Sequence, residues 1–255
     1  MACGLSRIDW SAPWILPWRN TGERIAQAVS QGASVAEACN AAGSLCPVQF
    51  VPQDQLPEGM PYEQYIFKHG AVPTRDGLHD FFNALCWLTF PLAKKQLNQV
   101  QAAAIQAQGV GAVRGAVRDA VTVFDENACL LQVDDVIWDA LVRRDWHAAF
   151  VVHRGLWNAA HVQIFGHAAL EKLVSPYKAI TAHMWRVPQQ VPLPEWDAWL
   201  AHDLQAEKLA SKPFLPTPVL GIPGWWSDNE APDFYQDTQV FRLPRAAKSR
   251  AILRN

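Results

Sequence analysis

Most of the chain repeats its apolar residues at helical rather than strand spacing. Between 21 and 43, Ile25, Val29 and Ala33 share one face and Gly43 closes the segment, which predicts one helix. Residues 76–89 carry the clearest helical pattern. Thr74 or Asp76 can cap its start, and Pro91 follows its end. An Ala- and Gln-rich helix is expected over 91–108, stopped by Gly109 and Gly111. The period changes over 119–133, where Val121, Val123, Leu130, Leu131 and Val133 flank Asp125-Glu126-Asn127. That arrangement predicts a hairpin turn.

Further helices are expected over about 134–146, 167–174 and 195–210, the first started by Asp134 or Asp135. Phe150, Val151 and Val152 leave strand and buried helix both open, and Gly166 breaks the pattern. Five prolines between 47 and 74 predict a long ordered loop, with one or two helical turns at 62–67. Residues 1–20, rich in Pro and Trp, read as an extended surface segment. The expected fold class is therefore α+β, predominantly helical, with a small β-hairpin or sheet and long packed Pro/Trp-rich loops. A single domain over 1–255 is expected, ending in a flexible tail at 246–255.

Composition narrows the picture. Half of the residues are hydrophobic and 18% are charged, which suits a globular chain. A net charge of −2 gives no basic field for holding nucleic acid. Arg242, Arg245, Lys248, Arg250 and Arg254 form a locally basic end, read as a solvated tail. The five cysteines are odd in number and lack any CxxC pair, which fits a reducing compartment. Asp9, Pro13 and Pro17 interrupt the N-terminal apolar residues, and no 18-residue apolar window occurs. The expectation is a cytoplasmic protein with no membrane partner. Of the twelve tryptophans, Trp10, Trp14, Trp18, Trp225 and Trp226 lie near prolines. They either pin irregular chain onto a core or form a ligand-stacking platform.

Three groups of residues could carry chemistry. Asp76, His79, Asp80 and Asn83 fall at i, i+3, i+4 and i+7, a polar stripe on an otherwise apolar helix. A divalent metal or an acid–base pair would use such a face; so would a capping and hydrogen-bonding network. Asp125 and Glu126 are either cleft-facing acids of a metal enzyme or ordinary turn residues. His167 follows Gly166, with Glu171 four residues on, and this pair could ligate a metal or relay a proton. Lys172 and Lys178 lie nearby and could bind an anion. No GxSxG, Walker A or GxGxxG motif occurs, which counts against the common serine hydrolase, P-loop and Rossmann classes.

Four long strings carry a family resemblance: LPEGMPYEQYIFKHGAVPTRDGLHDFFNALCWLTFPLAKKQLN, RDAVTVFDENACLL, FGHAALEKLVSPYKAITAH and VLGIPGWWSDNEAPDFYQDTQVFR. They resemble a bacterial domain of unknown function, number 3025, over residues from about 46 to 242. The resemblance implies no particular activity. Its members carry Gly where this chain has Ala128, and Ala is hard to place in a left-handed turn.

Two functions follow. In the first, the protein is a metal-assisted hydrolase acting on a phosphate ester or similar small substrate. Asp80, Asp125 and Glu126 would hold the divalent metal, and His79, Asp80 and His167 would carry the catalysis. Asn83, Arg75, Lys172 and Trp226 would bind a small anionic substrate. In the second, the protein is a non-catalytic binding protein that docks through its Trp-rich loops. Oligomeric state is left open.

Overall fold

The computed structural model describes residues 4–43, 46–108 and 115–244. Gly109, Gly111, Cys3 and the basic tail from Arg245 onward lie outside the described residues. The expected α+β fold, predominantly helical, is what the structure has: ten α-helices among the described residues and two small sheets.

Residues 4–20 do not form the extended segment expected. Residues 5–7 and 16–18 form short 3-10 turns, and Leu5, Ile8, Trp14, Ile15 and Trp18 are buried. Trp18 packs 6.0 Å from Phe90, and Trp14 lies 6.0 Å from Trp225. These indoles pin irregular chain onto the core. The single helix expected over 21–43 is two, α1 (Arg19–Ser30) and α2 (Val35–Ala42). The break has a local cause. Gly32 takes a left-handed backbone (φ 106°), and Ser34 starts α2 with a reciprocal cap to Glu37.

The 47–74 segment is more ordered than a loop. It forms β1 (Gln49–Pro52), α3 (Tyr62–His69) and β2 (Ala71–Thr74), with β1 and β2 paired in parallel. Gly70, at φ 59°, turns the chain from α3 into β2. Prolines are tolerated in β1 and β2 because each strand has an unpaired edge.

Helices α4 (Leu78–Thr89) and α5 (Pro91–Gln108) fall where the pattern places them. The predicted hairpin at Asp125-Glu126-Asn127 does not exist. These residues end helix α6 (Ala116–Asn127), whose Ala120, Val121 and Phe124 are buried at helical spacing. The chain passes directly into β3 (Ala128–Gln132), buried along its whole length. Ala128 is extended (φ −71°), so nothing there calls for glycine.

There follow α7 (Asp135–Val142), β4 (His161–Ile164), α8 (His167–Lys172) and β5 (Thr181–Arg186). Asp134 caps α7 through the backbone N–H of Val136. Phe150 is buried within a π-helical turn rather than a strand. The expected 195–210 helix is split into α9 (Trp196–Asp203) and α10 (Ala206–Ala210), and β6 (Leu215–Pro218) completes the second sheet. Its order is β4-β3-β5-β6, with β3 parallel to β5 and antiparallel to β4.

One continuous hydrophobic core runs from Leu5 to Phe241. Cys39, Cys46, Cys86 and Cys129 are all free thiols. Among the described residues, no helix is long and apolar enough to cross a membrane.

Candidate functional site

Two junctions of the fold bring the polar residues together. The first is the turn from β2 into α4. Asp80, in the first turn of α4, accepts from the backbone N–H of Arg75 at 2.7 Å. Its two carboxylate oxygens also receive the Arg75 guanidinium at 2.9 and 3.0 Å. This bidentate clasp fixes the turn and holds Arg75 at the rim, where its side chain is 65% exposed. Neither Thr74 nor Asp76 caps α4. Gly77 occupies the cap position, and Asp76 instead accepts from the Val35 N–H at 2.8 Å, joining α4 to the start of α2.

The second junction lies where α6 enters β3 beside the exit of β4 into α8. The N–H groups of Phe165 and Gly166 both donate to the Ala128 carbonyl, at 2.9 and 2.8 Å. Gly166 is pressed against the end of α6. A Cβ there would stand 2.4 Å from the Asn127 nitrogen and the Glu126 carbonyl oxygen. Glycine thus lets α8 start against the last turn of α6, and His167 Nδ1 reaches the Asp125 carbonyl oxygen at 2.8 Å.

Helix α5 supplies the floor. Asp197 of α9 accepts from the Leu92 and Ala93 N–H groups, fixing the start of α5. Lys94, one residue on, is buried and donates to Asn83 Oδ1 at 2.8 Å and Asp125 Oδ1 at 2.5 Å. Asn83 in turn donates to the Tyr62 hydroxyl at 3.0 Å. Burial alone would push the Asp125 carboxyl up, but Lys94 and then His167 outweigh it and hold the acid below its ordinary range.

The histidines form a chain. Burial, reinforced by Lys94 and His79 and opposed by Asp125, pushes His167 down to about 4. His167 is therefore neutral near pH 7. Since Nδ1 faces a carbonyl, Nδ1 carries the hydrogen and Nε2 keeps its lone pair. That lone pair lies 3.2 Å from Nε2 of His79. The other His79 nitrogen, Nδ1, lies 2.9 Å from the Glu171 carboxylate. Both neighbours of His79 are acceptors, so both contacts are satisfied when His79 donates from each nitrogen. The expected His167–Glu171 pair is thus replaced by a longer relay, Glu171–His79–His167–Asp125, joining α8, α4 and α6.

Of this relay Glu171 stands behind, while His79, His167 and Asp125 face one cavity of about 340 Å³. Arg75, His79, Asp80, Asn83, Asp125, Glu126 and His167 all line it. Lys172 and Trp226 do not. Lys172 approaches Asn127 Oδ1 at 3.4 Å, and the Trp226 indole turns towards Asp228. The pattern did not single out Tyr62, Glu63, Lys94, Asn98 or Gln101, which also line the cavity. Lys94, Asn98 and Gln101 repeat the signal of α4, polar residues at i, i+4 and i+7 on a buried helix face.

The donor set does not suit a divalent metal. Arg75 occupies both oxygens of Asp80, and Lys94 holds Asp125. Among the described residues, no three His, Cys, Asp or Glu side chains gather as ligands. The polar side chains are instead linked to one another by hydrogen bonds. Burial, with Glu63, Asp80 and Asp125 adding to it, raises the Tyr62 phenol well above its ordinary value, so it remains a donor.

No curated protein and no solved structure matches the chain. A family model described as protein of unknown function (DUF3025) matches residues 48–245, a span that contains every residue of this cleft, and the chain belongs to that family.

Proposed function

We propose that the protein is an enzyme that hydrolyses a small polar substrate by general acid–base catalysis. The observation that carries this reading is the 3.2 Å contact between the Nε2 atoms of His79 and His167 at the wall of the cavity. His79 is the accessible partner, with 40% of its side chain exposed against 8% for His167. The hydrogen on His79 Nε2, shared with His167 at rest, passes to the leaving atom as water adds, and the proton shed by the water replaces it on the imidazole pair. Glu171 orients the His79 ring through Nδ1, while the Asp125 carbonyl fixes the His167 tautomer. Tyr62 and Asn83 orient the substrate by hydrogen bonds.

The test is turnover of defined pools of polar metabolites, followed by mass spectrometry. A compound consumed by the wild-type protein should be consumed about 10²–10⁴ times more slowly by His79→Ala. Equal rates in wild type and His79→Ala would remove the histidine pair from the chemistry.

A further inference from the structure

Charge is not balanced across the cleft. Four acids line it, against one arginine, one lysine and two histidines, of which His167 is neutral near pH 7. Asp80 is matched by Arg75 and Asp125 by Lys94. The other two acids, Glu63 on α3 and Glu126 on α6, have no such match. Glu63 receives the Asn98 amide at 3.0 Å. The Glu126 side chain has no hydrogen bond or ion pair among the described residues. Burial, and then Asp125, push the Glu63 carboxyl above its ordinary range against the opposing pull of Lys94 and the Asn98 amide.

A second observation, independent of the acids, comes from α5. Gln101 is only 7% exposed, lines the same cavity, and leaves its Oε1 buried without a donor. An unpaired buried acceptor is costly, and a ligand that donates to it would remove the cost. Three acceptors on three helices thus surround one space, and the neighbouring cations are already engaged.

Resting on the acid–base reading above, we propose that the substrate carries a protonated nitrogen, an amine or guanidine, whose N–H groups are taken by Glu63, Glu126 and Gln101. This replaces the small anionic substrate expected from the sequence. That expectation leaned on Arg75, which Asp80 already holds, and on Lys172, which stands outside the cavity.

The experiment is calorimetric titration of the full chain with 1,4-diaminobutane and agmatine, and with succinate as an anion of similar length. At least one amine should bind saturably at millimolar concentration, and succinate should not. Glu126→Gln, at a half-exposed position, should weaken amine binding about tenfold or more, as should Glu63→Gln if it folds. Succinate binding in place of the amines, no binding by either amine, or amine affinity unchanged in Glu126→Gln would each overturn the proposal. Amine binding that is retained while no compound is turned over would keep this inference and defeat the acid–base reading. Turnover of a purely anionic compound that depends on His79 would do the reverse.

Discussion

Gly166 and Asn127 come so close that a Cβ on the glycine would stand 2.4 Å from the Asn127 backbone nitrogen. This approach sets where His167 meets Asp125, because α8 begins at the next residue. The obstruction is backbone and cannot rotate away. Gly166→Ala should therefore destabilise the protein by about 1–3 kcal/mol and displace the imidazole from the Asp125 carbonyl. Denaturant unfolding together with the imidazole resonances of His167 checks both effects. An alanine variant of unchanged stability, with His167 in its original hydrogen bond, would refute the packing argument.

Lys94 and Asp125 should behave as a unit. Removing the lysine alone, in Lys94→Met, leaves a carboxylate enclosed without its cation, and about 3–5 kcal/mol of stability should be lost. The double variant Lys94→Met/Asp125→Leu removes both charges and should recover much of that loss. A double-mutant cycle in urea measures the coupling. Additive effects would mean that the 2.5 Å contact contributes little.

His167 predicts a pH dependence of stability with a definite sign. Its folded value, about 4, lies below the ordinary 6.5. Between these values the unfolded chain binds a proton that the folded chain refuses, so stability falls as pH drops through that window. The size is on the order of 3 kcal/mol. Glu63, shifted upward, acts in the opposite sense above its ordinary carboxylate range. The clean readout is therefore the difference between wild type and His167→Phe across pH ~4 to ~6.5. A parallel pH dependence in the two proteins would exclude His167 as its source.

Helices α4 and α5 were legible in the sequence because their apolar residues keep a helical period and prolines punctuate them. The α4 stripe was legible for the same reason, and Arg75, His79, Asp80 and Asn83 do line the cleft. The last turn of α6 was misread. A buried strand follows it without a break, and the Val121–Val123 spacing mimics strand alternation. β1 and β2 were hidden by prolines that the strands accept only because each has a free edge. The helical turns expected at 62–67 are α3, but nothing in their spacing pointed Tyr62 and Glu63 at the cleft. Local spacing pointed from His167 to Glu171, one turn on. In the fold, the nearer partner of Glu171 is His79, 92 positions away in sequence. Such a pairing depends on the packing of α4 against α8, which local pattern does not encode.

In the proposed mechanism His79 and His167 share a hydrogen bond along which a proton moves. Long-range ¹H–¹⁵N correlation of the imidazole nitrogens tests it directly. Between about pH 5 and 8, His167 should remain neutral with its hydrogen on Nδ1. Its Nε2 should show a coupling to Nε2 of His79 across the hydrogen bond, lost in His79→Ala. A His167 that carries its hydrogen on Nε2, or that titrates near its ordinary 6.5 whether or not His79 is present, would contradict the account.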